Sequence, residues 1–202
     1  MQTTARIAIG LAFALAVPSA AAAQQAVRLR GTIERVDGHA LTVKTAAGAD
    51  AKLSLTADAR VIAVVKASMA DIKKGTFLGS AAMPQPDGTQ KALEVHIFPE
   101  DMRGTGEGHR PYAPVTNSTM TNGTTAGATV SGVDGSTITV RYKGGEQKIV
   151  VPPNVPVVRF VTGSAADLKP GAAFTVLAAV KKADGSYEAQ RINVGRDGTV
   201  PQ

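Results

Sequence analysis

Two stretches of this chain carry one pattern, and a pattern written twice constrains the fold more than any composition does. Gly31–Pro99 reads GTIERVDGHALTVKTAAG, AKLSL, ARVIAVV, SMADIKKG and PQPDGTQKALEVHI in order. Ala128–Asp197 reads ATVSGVDGSTITVRYKGG, QKIVV, VPVVRFV, SAADLKPG and KKADGSYEAQRINV. Val36-Asp37-Gly38 answers Val133-Asp134-Gly135, Asp71 answers Asp167, Gly75 answers Gly171, and Asp87-Gly88 answers Asp184-Gly185. Turn and cap residues that match in order point to one folding unit used twice.

The unit reads as β-structure nearly throughout. Ile138, Val140 and Tyr142 alternate with Thr137, Thr139, Arg141 and Lys143, the period of a half-buried strand, and Leu41 and Val43 alternate with Thr42 and Lys44. Asp-Gly pairs between apolar runs are hairpin signals, because glycine accepts positive φ. Ser68-Met69-Ala70-Asp71 and Ser164-Ala165-Ala166-Asp167 have the Ser-x-x-acid spacing of a capped helical turn. The order strand, strand, strand, short helical turn, strand, strand is that of an OB barrel. The expected fold is therefore all-β: two tandem small OB-like β-barrels, each with one short helical turn. The expected divisions are a signal peptide at 1–23, a first barrel at 24–99, a central Gly/Thr/Pro-rich loop or linker at 100–127, and a second barrel at 128–202. Ile33, Leu41, Val43, Leu53, Val61, Ile72 and Val95 are the expected first core. Val130, Ile138, Val140, Ile149, Val157, Leu168 and Ile192 are the expected second.

The motifs GTIERVDGHALTV, SMADIKKG and DGTQKA, repeated as ATVSGVDGSTITV, SAADLKPG and DGSYEA, resemble the bacterial domain-of-unknown-function family DUF5666. The resemblance covers both copies and leaves out the N-terminal segment and the central linker, and Ala128 stands where the pattern opens on Gly. It implies small exported β-barrel modules without an established activity and transfers no catalytic residue.

Arg6, the apolar run Ile7–Val17, Pro18 and the small residues Ser19–Ala23 have the order of a cleavable secretory signal, with Gln24 as the expected first residue after cleavage. An apolar run of 11 residues is short of the roughly 20 that span a bilayer. No Arg-Arg pair precedes it, which favours the general secretory route over the twin-arginine one. The chain has no cysteine, so disulfides, thiolate metal sites and a cysteine nucleophile are excluded. Export without disulfides points to a bacterial periplasm. Cleavage leaves 202 − 23 = 179 residues, and losing Arg6 changes the net charge from +6 to +5. Lys73-Lys74 and Lys181-Lys182 sit beside turns with no long basic run, the pattern of a solvated surface with some attraction for anionic partners.

The segment Glu100–Gly127 repeats nowhere and holds the candidate binding residues Arg103, Glu107, His109, Arg110 and Tyr112. Polar and aromatic groups on a loop anchored by a scaffold are a usual place for recognition. A candidate divalent-metal set is His96, Glu100, Asp101 and His109, the right ligand types without a compact ligand spacing. No Gly-x-Ser-x-Gly elbow occurs, and Gly104-x-Gly106-x-Gly108 lacks the Lys-Ser/Thr of a phosphate loop, so no enzyme is expected. Phe77, Phe98, Tyr112, Tyr142, Phe160, Phe174 and Tyr187 sit mostly at core-type positions and there is no Trp, which counts against nucleic-acid stacking. The function expected is an exported, non-enzymatic binding or interaction module of the cell envelope, for an envelope protein or an anionic ligand. The alternative is a periplasmic metal-handling accessory protein using His96, His109 and nearby carboxylates.

Overall fold

A strand with one apolar face must close on others or leave its backbone unpaired, and the long strand Asp50–Lys66 decides how this chain closes. The computed structural model describes residues 26–130 and 135–201. The strands are β1 (Ala26–Asp37), β2 (Ala40–Thr45), β3 (Asp50–Lys66), β4 (Phe77–Pro84), β5 (Gln90–Ile97), β6 (Gly108–Pro111), β7 (Thr119–Val130), β8 (Ser136–Tyr142), β9 (Gly145–Val151), β10 (Val157–Thr162), β11 (Ala173–Lys181) and β12 (Tyr187–Gly195). The protein is all-β, and among the described residues no helix is long and apolar enough to cross a membrane. The segment expected to be a signal peptide lies outside the described residues, as do Val133 and Asp134 of the second hairpin turn and the side chain of Val130.

Local signals act as the residues require. Along β8, Ile138 and Val140 are buried while Thr137 and Thr139 are only half covered. At Asp87-Gly88 the carboxylate accepts from the Thr89 N–H at 3.0 Å, and Gly88 takes φ 81°. Asp184 does the same for the Ser186 N–H at 3.0 Å, with Gly185 at φ 84°. Met69–Asp71 and Ala165–Asp167 are single 3₁₀ turns, with Ser68 and Ser164 at their N-caps.

The strands do not pair as one barrel per sequence copy. β1, β2 and β3 join β11 and β12, from the far end of the chain, and the parallel pair β12–β3 closes these five into a barrel. Of the other seven, β10 links β3 to β5, the order continues β5-β4-β7-β8-β9 with β6 on β7, and a short parallel contact, Gln90↔Ile149 and Lys91↔Val150, brings β5 against β9. The expected division at 24–99 and 128–202 is thus corrected: β11 and β12 close on β1–β3, and β4 and β5 pair with β7 and, by the short contact, β9. The cores follow. Ile33, Leu41, Val43 and Leu53 pack with Leu168 and Ile192, while Ile72 and Val95 pack with Ile138, Val140 and Ile149. Among the described residues the expected ones are buried, Val61 and Val157 only partly, and Ile72, Val95, Leu168 and Ile192 lie in the opposite cluster.

The physical reason is the length of β3. At roughly 3.3 Å per residue its 17 residues span about 55 Å, more than a small barrel can use. Its first half pairs with β2 and β12; its second half keeps β12 on one edge and pairs antiparallel with β10 on the other, Val64 opposite Phe160. In the later half of the chain the corresponding span is interrupted by Pro152, Pro153 and Pro156, where β9 ends and β10 begins. Proline offers no N–H to a ladder, so the strand breaks there. Between the two strand circuits a third cluster forms from Ile62, Phe77, Phe98 and Met102, with Phe160 against it.

The expected linker at 100–127 is corrected as well, since it holds β6 and most of β7. A Cβ on Gly123 would lie 2.3 Å from the Arg141 carbonyl oxygen, as one on Gly31 would lie 2.0 Å from that of Lys44. Gly123 therefore fills the role for which the sequence pattern offered Ala128. Five extra residues in the β7–β8 hairpin hide this, because Gly31 to Lys44 is 13 positions and Gly123 to Arg141 is 18.

Arg196, just after β12, clips this strand to the turn before β11 by donating from Nε to Asp167 at 2.8 Å. These hydrogen bonds, then the Ser164 N–H, hold the Asp167 carboxyl below its ordinary value. A depressed folded-state pKa contributes stability above the ordinary carboxylate value, and that stability is lost as pH falls through the folded one. Thermal melts of Asp167→Asn should therefore lie below the native protein at neutral pH, with a gap that narrows as pH drops past 3.8. A gap independent of pH would contradict this role.

Candidate functional site

Alternation along each strand sends every second side chain away from the apolar clusters, and on four strands those outward side chains meet across one cleft. β1 contributes Arg28 and Arg30 on either side of buried Leu29. β12 contributes Arg191 and Asn193 around buried Ile192. From the other circuit, β5 sends Glu94, His96 and, just past its end, Phe98, and β7 sends Met120 and Asn122. Phe160 of β10 lies between them. The cleft has a volume of about 380 Å³.

Its inner surface is aromatic. The His96 ring stacks on Phe160 with centroids 5.2 Å apart and meets Phe98 edge-on at 5.0 Å. Phe98 meets Phe160 edge-on at 5.3 Å. Glu94, also buried, brings a carboxylate oxygen 3.6 Å from His96 Nδ1. Gly79 makes this packing possible. It lies beside His96 on one side and Asn122 on the other, and a Cβ there would fall 2.1 Å from His96 Nε2 and 2.5 Å from Asn122 Oδ1. Asn122 donates from Nδ2 to the Thr105 carbonyl at 3.0 Å, while its Oδ1 is buried without a partner.

The charges around the cleft are unbalanced. Arg28, Arg30, Arg110 and Arg191 line it, and none has a carboxylate within ion-pair distance among the described residues. Arg191 is half-buried, its Nε 3.4 Å from Asn193 Oδ1. Burial, and then the nearby Arg60 charge, lower its pKa from the usual arginine value. Arg28 reaches across the mouth, donating from a terminal guanidinium nitrogen to the Tyr112 hydroxyl at 3.0 Å, with its guanidinium 5.8 Å from the ring centroid. Arg110 donates to the Gly106 carbonyl at 2.6 Å.

Of the five expected binding residues, the structure brings Arg110 and Tyr112 to the cleft and places the other three elsewhere. Arg103 is held by Glu100 and donates to the Gly75 carbonyl at 3.0 Å, which pins the 3₁₀ turn Glu100–Met102 beside β4. Glu107 accepts from the Lys143 N–H at 3.0 Å and ties this segment to the β8–β9 turn. His109 sits 2.8 Å from Thr121 Oγ1 and stacks near Tyr142 at 6.3 Å. Burial lowers its pKa, which favours the neutral ring.

The four expected metal-ligating residues do not converge. His96, Gly79, Asn122 and Gly108 form one row across β5, β4, β7 and β6, while His109 belongs to the adjacent row with Thr121, Ser80 and Val95. Neighbouring rows face opposite sides of a sheet, so the two rings point apart. Glu100 is engaged by Arg103, and among the described residues no group of three or more His, Asp or Glu side chains is placed to hold an ion. Sequence reasoning missed Arg28, Arg30, Arg191, Phe98 and Phe160. Each sits in or beside a strand, where an outward position looks like ordinary surface until a second strand is set opposite it.

Compared with family models, curated proteins and solved structures, the chain matches none.

Gly79→Ala should lower stability by about 1–3 kcal/mol in denaturant titrations, because the methyl group must displace His96 and Asn122. Glycine-to-alanine at an unobstructed site goes the other way. Unchanged or raised stability would show that the His96–Gly79–Asn122 row is not packed as described.

Proposed function

We propose that this protein is an exported, non-enzymatic binding module of the bacterial envelope, and that the cleft between the two strand circuits takes an anionic ligand. One observation carries the reading: four arginines line a partly buried cleft without an acidic partner among the described residues. Guanidinium groups drawn out of water lose hydration that a carboxylate, sulfonate or phosphate would replace with charged hydrogen bonds. With four arginines against the single carboxylate of Glu94, the cleft has an excess of positive charge that concentrates anions.

The fold supports a finer reading within the same proposal. The chain is a duplicated OB-like unit, related to DUF5666, whose two copies have exchanged their last two strands to give two barrels. The registers repeat between the circuits: Val61 lies beside Ile192 as Val157 lies beside Val95, and Leu53 lies beside Tyr187 as Ile149 lies beside Gln90. Val64 opposite Phe160 stands at the approximate two-fold centre of this arrangement. The cleft straddles that centre, so it belongs to the pair of units and not to either alone. Metal handling through His96 and His109 is the reading this geometry favours less, since their rings face opposite sides of the sheet.

Titration of isotopically labelled protein with phosphate, sulfate and acetate tests the assignment by NMR. Guanidinium signals of Arg28, Arg30 and Arg191 should shift with saturation and lose the effect at high ionic strength. Shifts confined to Lys73, Lys74, Lys181 and Lys182, or none at all, would overturn it.

A further inference from the structure

The two walls of the cleft are built from corresponding strands but have opposite chemistry. On the β1/β12 wall stand Arg28, Arg30 and Arg191. On the β5/β7 wall, Glu94 occupies the place of Arg191, Asn122 that of Arg30 and Met120 that of Arg28, as the shared registers require. Beside them lie Phe98, Phe160 and the His96 ring, and Leu93 is 39% exposed at the rim. A scaffold of near two-fold form therefore carries a cationic wall facing one of aromatic rings and methionine, in which Glu94 and Asn122 are the buried polar groups.

Resting on the anion-binding reading, we propose that the ligand is an amphipathic anion: a carboxylate, sulfonate or phosphate attached to a flat aromatic or short acyl body. Its acidic group lies against Arg191 and Arg30, and its body against Phe98, Phe160 and Met120. A small hydrophilic anion would satisfy the arginines and leave the aromatic surface in contact with water, forgoing the burial that such a wall offers. An uncharged apolar molecule would cover the aromatic wall and leave half-buried Arg191 without a counter-charge, the costlier omission. The volume of about 380 Å³ falls within the roughly 300–1,000 Å³ of small-ligand pockets, so one ring system with its acid is accommodated and a polymer is not. Tyr112, on the segment after β6, lies over the mouth through its hydrogen bond from Arg28 and would have to move aside or cap the bound molecule.

Two fluorescent probes that share one ring system separate the contributions: 8-anilinonaphthalene-1-sulfonate and uncharged N-phenyl-1-naphthylamine. The full chain should bind the sulfonate saturably at one site, about tenfold or more tighter than the uncharged probe. Arg191→Gln should remove most of that advantage and leave the uncharged probe unaffected, with circular dichroism confirming an unchanged fold. Leu93→Asp, at an exposed position, should weaken both probes. Competition by octanoate and by benzoate then distinguishes an acyl from an aromatic body. Equal affinity for the two probes, or no effect of Arg191→Gln, overturns the proposal. If inorganic phosphate displaces the sulfonate probe with comparable affinity, the cleft is an anion site and only the amphipathic assignment falls. If neither phosphate nor either probe binds at the cleft, both readings fall.

Discussion

The antiparallel pairing of β3 with β10, centred on Val64 and Phe160, is the contact on which the rest of the structure depends. It joins the two strand circuits: β3 runs on past the end of the β2 ladder, still paired with β12, and offers its other edge to β10. The residues beyond Arg60, Val-Ile-Ala-Val-Val, are β-branched and apolar and favour extended backbone. Nothing in Thr56-Ala57-Asp58-Ala59 breaks the strand, whereas Pro152-Pro153-Asn154-Val155-Pro156 does so in the other half.

Closure by exchange has a consequence for binding. The inward faces of the strands are taken by two separate apolar clusters, so any recognition falls to the outward faces. Most outward positions meet only solvent. Where the two circuits are held together by β3 and β10, outward positions of β1 and β12 confront those of β5 and β7, and surface residues become cleft residues. The two walls differ in their side chains: arginine on β1 and β12, methionine, asparagine and glutamate on β7 and β5. Gly79 keeps the apolar wall low enough for His96 to lie flat on Phe160.

Much of the architecture was legible in the sequence, because its signals are local. The Asp-Gly turns at Asp87 and Asp184, the caps at Ser68 and Ser164, and the alternation at Leu41–Val43 and Ile138–Val140 each depend on a few neighbouring residues. Which strand completes which circuit was not legible. Ile192 and Val95 occupy matching positions in the repeat, so the sequence pattern is satisfied whether they are exchanged or not. The candidate site was legible only at Arg110 and Tyr112, which stand outside the repeat and drew notice for that reason. Arg103, Glu107 and His109 stand outside it too, yet they serve the packing of the segment around β6, which explains their presence without a ligand. Arg28 and Arg191 were hidden because their meaning depends on long-range apposition.

β12, not β5, lies beside the first half of β3, and a cysteine-free chain allows a direct measurement. Ser54 is exposed on β3 with Glu188 as its partner on β12, and Lys91 is the residue that would stand there without exchange. Parallel neighbours at this separation lie within reach of a disulfide. Full-length protein carrying Ser54→Cys with Glu188→Cys should cross-link internally under mild oxidation, as read by mass and mobility. The pair Ser54→Cys with Lys91→Cys should stay reduced as a monomer. Efficient internal cross-linking of the second pair and not the first would contradict the exchange, and with it the cleft that depends on both halves.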